Sequence, residues 1–283
     1  MQAYFNFSRF KKLVFSHWTE YKKRYLLFVI ALFGIMFFGA ICILLVDGRY
    51  AASEELQYAL FHFCWITSAC IFSGTFLSNL NDKSKGITYI LLPTSIFEKF
   101  LCTLLYTIPV FFIVFTLLFY IIDIPYVALS NYIKYQDYLQ SHSNNFGQYN
   151  NKFEPYKVIS LFYDVQHETN LYSITTYRAF LQFFFVGLSL QAYFLMGSAF
   201  FKKFAFVKTI LSAFVIMLFF TVYTFLMVKN NHVPERIVDN YFSAKPFIDS
   251  YYWICHAYVW YFKIGLGILF YIITFFHMKE KEI

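Results

Sequence analysis

Six long apolar runs constrain this chain more than any other feature: Tyr25 to Val46, Gln57 to Leu77, Leu101 to Ile122, Ala179 to Phe201, Phe206 to Val228 and Trp253 to His277. A hydrocarbon core of ~30 Å is crossed by about 20 helical residues at ~1.5 Å rise each, and every run reaches that length. Lipid offers no water to the backbone, so runs of this kind must satisfy their own hydrogen bonds as helices. The composition agrees, with 59% hydrophobic and 14% charged residues among 283 and a mean hydropathy of +0.53. The expectation is an all-α membrane protein with six transmembrane helices.

The chain divides accordingly into an amphipathic interfacial helix at 1–24, spans one to three at 25–122, an extracytoplasmic loop at 123–178, and spans four to six at 179–283. A charged elbow at 78–100 interrupts the first group. The first run is too long for a signal-peptide core and no small-residue cleavage site follows it, so it is expected to stay as an anchor. The five cysteines lie in or beside spans, where they read as small packing residues rather than bridges or metal ligands.

Charge sets the orientation. With the N-terminus inside, 14 Lys and Arg residues fall on the inner side and 8 on the outer, half of the latter in the long loop, which translocates largely regardless of charge. Both termini are therefore expected in the cytoplasm. The formal charge of +7 becomes a sidedness signal rather than a nucleic-acid footprint.

Ahead of the first span, Phe7, Phe10, Leu13, Val14, Trp18 and Tyr21 recur at helical spacing, with Arg9, Lys11, Lys12, Glu20, Lys22 and Lys23 on the other arc. This predicts a helix in the inner headgroup region, its apolar arc in acyl chains and its basic arc on anionic lipid. In the elbow, Gly86 breaks a first piece and Pro93 forbids a continuous helix. Ser95 with Glu98 three residues later has capping-box spacing for the helix that becomes span three.

The loop from Asp123 to Arg178 is rich in Tyr, Asn and Ser and too polar for a large core of its own, so it is expected to cap the spans. Pro234, Pro246 and the aromatic groups between Lys229 and Tyr252 suit one or two short interfacial helices at the outer face.

Chemistry is sparse. No glycine-rich phosphate cradle of the G-x-x-x-x-G-K-[ST] type occurs, and the histidines lack paired ligand spacing, so no catalytic residue, metal or directly bound cofactor is assigned. None of the six runs contains Asp or Glu, the residues that ion-coupled carriers place in the membrane. Lys263 lies well inside the sixth run and either snorkels to the outer interface or meets an anionic head group. Thr67, Ser68 and Ser73, with Thr75, give span two a polar stripe that suits helix packing or a conduit.

The run Lys85-Gly86 to Tyr89, Leu91-Leu92-Pro93-Thr94-Ser95 and Glu98-Lys99-Phe100 resembles a pattern of Bacteroidota permeases of the ABC transporter superfamily, in the compact six-span class of type 2 exporters. The amphipathic N-terminal helix, short link and aromatic outer hairpin are similar along nearly the whole chain. The resemblance implies that the elbow is a coupling helix seated on a separate ATP-binding subunit, with Asp82, Lys83, Lys85, Tyr89, Glu98 and Lys99 as its coupling residues. Glu98 and Lys99 would hold the start of span three. It also implies ATP and Mg in that partner, a second permease chain, and an inner-membrane location. The large loop departs from the most compact members, so their substrates do not carry over.

A second reading makes the chain a non-transporting scaffold or mechanotransmission subunit whose loop at 123–178 docks an extracytoplasmic protein. A lipid-modifying enzyme would need converging His, Asp, Glu or Ser groups at one interface, which this pattern does not assemble.

Overall fold

The computed structural model describes residues 5–47, 52–78, 93–144, 153–159, 176–201, 204–230 and 264–280. Among them the ordered elements are all helical: α1 (Phe7–Asp47), α2 (Glu54–Phe76), α3 (Ile96–Leu105), a π-helical turn (Tyr106–Val110), α4 (Phe111–Asn144), α5 (Thr176–Phe200), α6 (Ala205–Asn230) and α7 (Leu266–Glu280). Four stretches are long and apolar enough to cross a membrane by length and composition: Phe7–Val46, Leu56–Phe76, Ile96–Gln140 and Phe183–Phe200. The described parts of the other two apolar runs are also helical, in α6 and α7. The protein is an all-α, membrane-embedded chain.

Two boundaries differ from those expected. The interfacial helix and the first span are successive parts of one helix, α1, because no Gly or Pro stands between Phe7 and Gly34 to interrupt it. The loop expected to begin at Asp123 instead begins as helix, since α4 continues to Asn144 through Pro125. Ile122, Tyr126, Val127 and Ser130 recur at helical spacing and are buried, and this packing outweighs the proline. At the other proline, Pro109, the missing N–H falls inside the wide π turn, where the ladder is already re-spaced.

The chain forms two compact units, Met1–Ala69 with Thr94–Phe184, and Cys70–Pro93 with Phe185–Ile283. In the first, aromatic rings build the core. Phe61 of α2 meets Phe115 and Phe119 of α4 edge-on, with ring centres 5.4 and 5.0 Å apart. Trp65 one turn on is stacked at 5.2 Å on Phe184 and meets Phe112 edge-on. Beyond these rings, Leu44, Ala52, Tyr126 and Val127 close a small apolar cluster.

Part of the 123–178 segment is strapped onto the first unit. Residues 153–159 run without helix or strand, and side chains from the helices satisfy their backbone. Asn131 Oδ1 accepts from Tyr156 N–H and its Nδ2 donates to Tyr156 C=O. Gln57, only 1% exposed, accepts from Ile159 N–H and donates to Lys157 and Ala52 C=O. Tyr120 Oη donates to Ile159 C=O, and Lys134 Nζ donates to Glu154 C=O while lying 3.9 Å over the Tyr156 ring. At Tyr156 and Ile159 these bonds pair backbone groups that partial or full burial would otherwise leave unsatisfied. Asn131→Ala is expected to speed hydrogen exchange at the Tyr156 amide, and Gln57→Ala at the Ile159 amide, with little cross-effect. Exchange mass spectrometry with fragment-level resolution checks both.

In the second unit, helices approach closely through small residues. A Cβ at Gly197 would collide with the Thr209 side chain, and one at Gly74 would come within 2.8 Å of the Phe206 ring. These glycines are the packing contacts expected of membrane helices. Tyr193 and Ser212 hydroxyls are 2.8 Å apart, Tyr193 meets the Phe270 ring edge-on, and Phe200 stacks on His277 at 3.9 Å. Phe204, at the α5–α6 link, adopts a left-handed φ of 53°, unusual for a bulky residue.

Candidate functional site

The end of the elbow is built by the capping box at Ser95. Ser95 Oγ accepts the Glu98 N–H at 3.2 Å, and Glu98 Oε2 accepts the Ser95 N–H at 3.1 Å, so two of the orphan donors at the start of α3 are satisfied reciprocally. The sequence spacing anticipates this pair. It does not anticipate what the other carboxylate oxygen does.

Glu98 Oε1 accepts from the Asn6 N–H at 2.8 Å and from Arg9 Nη2 at 2.9 Å. Asn6 is itself the cap of α1, its Oδ1 accepting the Ser8 N–H and its carbonyl the Phe10 N–H. One carboxylate therefore sits at the N-termini of two helices, where both sets of free N–H groups favour negative charge. Glu98 is fully buried and Arg9 is 31% exposed by side chain. Arg9, expected on the lipid-facing basic arc, is instead paired within the protein, because the carboxylate is buried and needs a charged partner.

The apolar arc of the first two dozen residues is likewise divided. Phe10 and Leu13 are buried against protein, whereas Phe7 and Trp18 remain exposed. Phe5 meets the Phe97 ring edge-on, and Tyr106 Oη donates to Val14 C=O at 2.9 Å. His17 and Tyr25 pack on the Tyr106 ring, with centres 4.9 and 5.7 Å apart. The N-terminal stretch is thus fastened to α3 and the π turn along about five helical turns.

Of the proposed coupling residues, Glu98 belongs to this joint and Lys99 follows it, with buried side chains 0% and 2% exposed. Asp82, Lys83, Lys85 and Tyr89 lie outside the described residues, as does Lys263. The span-two stripe does not form one polar face. Thr67 is exposed, while Ser68 and Ser73 are buried and donate to carbonyls of their own helix, to Cys64 and Trp65 and to Cys70. That is the habit of hydroxyls packed in a helix.

Sequence reasoning missed Asn6, Arg9, Gln57 and Asn131 because their partners are remote in the chain; Arg9 and Glu98 are separated by 89 positions. The one available signal was an acidic residue on the inner side close to a strongly basic segment. No family model matches the chain, and neither a curated protein nor a solved structure matches it.

Proposed function

We propose that this chain is the transmembrane permease subunit of an ATP-driven exporter of the ABC superfamily, with six spans, both termini in the cytoplasm and a location in the inner membrane. A separate ATP-binding subunit holds ATP and Mg, and a second permease chain, identical or related, completes the unit. The observation that carries this reading is the joint at Glu98. A push delivered to the elbow at 78–92 moves a span only if the elbow ends in something stiff, and the start of α3 is capped, ion-paired and bound to α1.

In this scheme Asp82, Lys83, Lys85 and Tyr89 meet the ATPase, while Glu98 passes the displacement to α1 and α3 together. Spans tilt, and substrate leaves outward or laterally. Alanine at Asp82, Lys83 and Lys85 together is expected to weaken capture of the ATPase subunit about tenfold, equivalent to ~1.4 kcal/mol. Co-purification from the native membrane, quantified against the unaltered chain, checks this. A membrane preparation that yields no ATPase partner at all sinks the transporter reading.

The strapped segment 153–159 favours one second reading, a scaffold or force-transmitting subunit, because it holds an ordered loop where an extracytoplasmic protein could dock. Cross-linking from Lys157 in intact cells separates the two: a stable extracytoplasmic adduct without an ATPase partner supports the scaffold.

A further inference from the structure

The third apolar run ends at Ile122 in the sequence, yet its helix does not, and the next residue is a buried acid. Asp123 is 5% exposed, and its Oδ2 is buried with no hydrogen-bond partner among the described residues. Two other buried oxygens of α4 share that condition, Thr116 Oγ1 and Ser130 Oγ. They stand seven positions before and after Asp123. At 3.6 residues per turn this places the three within about 20° of one another per step, as a stripe with ~10.5 Å between neighbours.

Unbonded hydroxyls are not the rule in this unit. Thr103, Thr107 and Ser68 each donate to a carbonyl one turn back on their own helix. The stripe on α4 therefore holds unused hydrogen-bonding capacity on both sides of an acid.

Among the described side chains of the elements packed nearby, none forms an ion pair with Asp123. The α1 residues there, Ala40, Ile43 and Leu44, are apolar. On α2 the acidic, phenolic and imidazole side chains that are described are Glu54, Tyr58 and His62, and His62 Nδ1 is 2.8 Å from Tyr58 C=O. The strap offers Glu154, Tyr156 and Lys157, of which Glu154 and Lys157 are exposed. On α4 itself stand Tyr120, Tyr126 and Lys134, the last committed to Glu154 C=O and the Tyr156 ring. A carboxylate enclosed without a counter-ion is far costlier than the neutral acid.

We propose that Asp123 is a proton-binding site: a carboxylic acid enclosed by the first unit that exchanges its proton with solvent along the stripe through Ser130. On release, the O–H bond of the acid breaks, the proton passes to water and the carboxylate remains; reloading reverses the step. Hydroxyls suit this path because each both donates and accepts, and the path requires a short chain of waters between them. The site is independent of the ABC reading, since it invokes neither an ATPase nor a cargo.

Dicyclohexylcarbodiimide tests it, because this apolar reagent adds to protonated carboxyl groups and rearranges to a stable N-acylurea. The full chain in lipid nanodiscs is treated and mapped by peptide mass spectrometry. The expected result is an adduct at Asp123 that diminishes as the buffer is made more alkaline and disappears in Asp123→Asn. Glu98 is the internal control and stays unlabelled, being committed to Arg9 and two backbone N–H groups. Labelling that spares Asp123, ignores pH, or is blocked by sodium at fixed pH overturns the proposal, the last in favour of a cation site. Because the variant could fail to fold, infrared spectra of the unaltered chain provide a second measurement. A protonated-carboxyl band at neutral pH that shifts on 13C-aspartate labelling, and exchanges into deuterium more slowly in Ser130→Ala, is expected. Absence of that band also overturns it.

Discussion

Replacing Glu98 with alanine is expected to destabilise the chain by about 3 kcal/mol, measured as the shift in an unfolding titration in mixed detergent micelles. Three donors lose their acceptor at once: the Asn6 and Ser95 N–H groups and the Arg9 guanidinium. The two amides are part-buried helix-terminal donors, and each orphaned donor of this kind costs about 1 kcal/mol. Arg9 contributes less, because its side chain is about one-third exposed and solvent screens the pair. Glu98→Gln, which keeps one acceptor oxygen and loses the charge, should fall between the two. Arg9→Ala should cost roughly 1 kcal/mol, and the double variant should be less damaged than the sum of the singles. If Glu98→Ala is neutral, or the two changes are additive, the joint is not a mechanical unit and the coupling scheme loses its support.

Trp65→Ala should produce a second large loss, about 2–4 kcal/mol. Trp65 is among the largest fully enclosed side chains, stacked on Phe184 with a 4° interplanar angle and edge-on to Phe112. In water such a truncation costs both transfer energy and cavity energy. In a bilayer the transfer part shrinks, since lipid tails are as apolar as the core, so the expected loss lies below the upper end of the soluble range. Trp65→Phe, which keeps a ring in the stack, should recover more than half of it. The same micelle titration reads both, and a near-neutral Trp65→Ala would mean that α2, α4 and α5 do not pack through this ring.

Several features were legible because they are local. Apolar runs identify helices that must close their own hydrogen bonds, and the described parts of the six runs are helical apart from the end residues Leu77 and Phe201. Ser95 and Glu98 form their box because the capping pattern needs only residues three apart. Asp123 illustrates the opposite case. An acid followed by Pro125 reads as the end of a helix, yet α4 continues, because the faces beyond it are buried by Leu44 and Ala52 from distant parts of the chain.

What the sequence determined by itself is therefore the membrane solvent, the helical class and the capped start of α3, all consequences of composition or short spacing. Tertiary structure alone decided that Glu98 closes on Asn6 and Arg9, that Gln57 and Asn131 hold residues 153–159, and that Asp123 is enclosed. The reason is physical: hydrogen bonding within a helix depends on neighbours a turn away, whereas the pairing of a side chain depends on which remote surface burial brings to it.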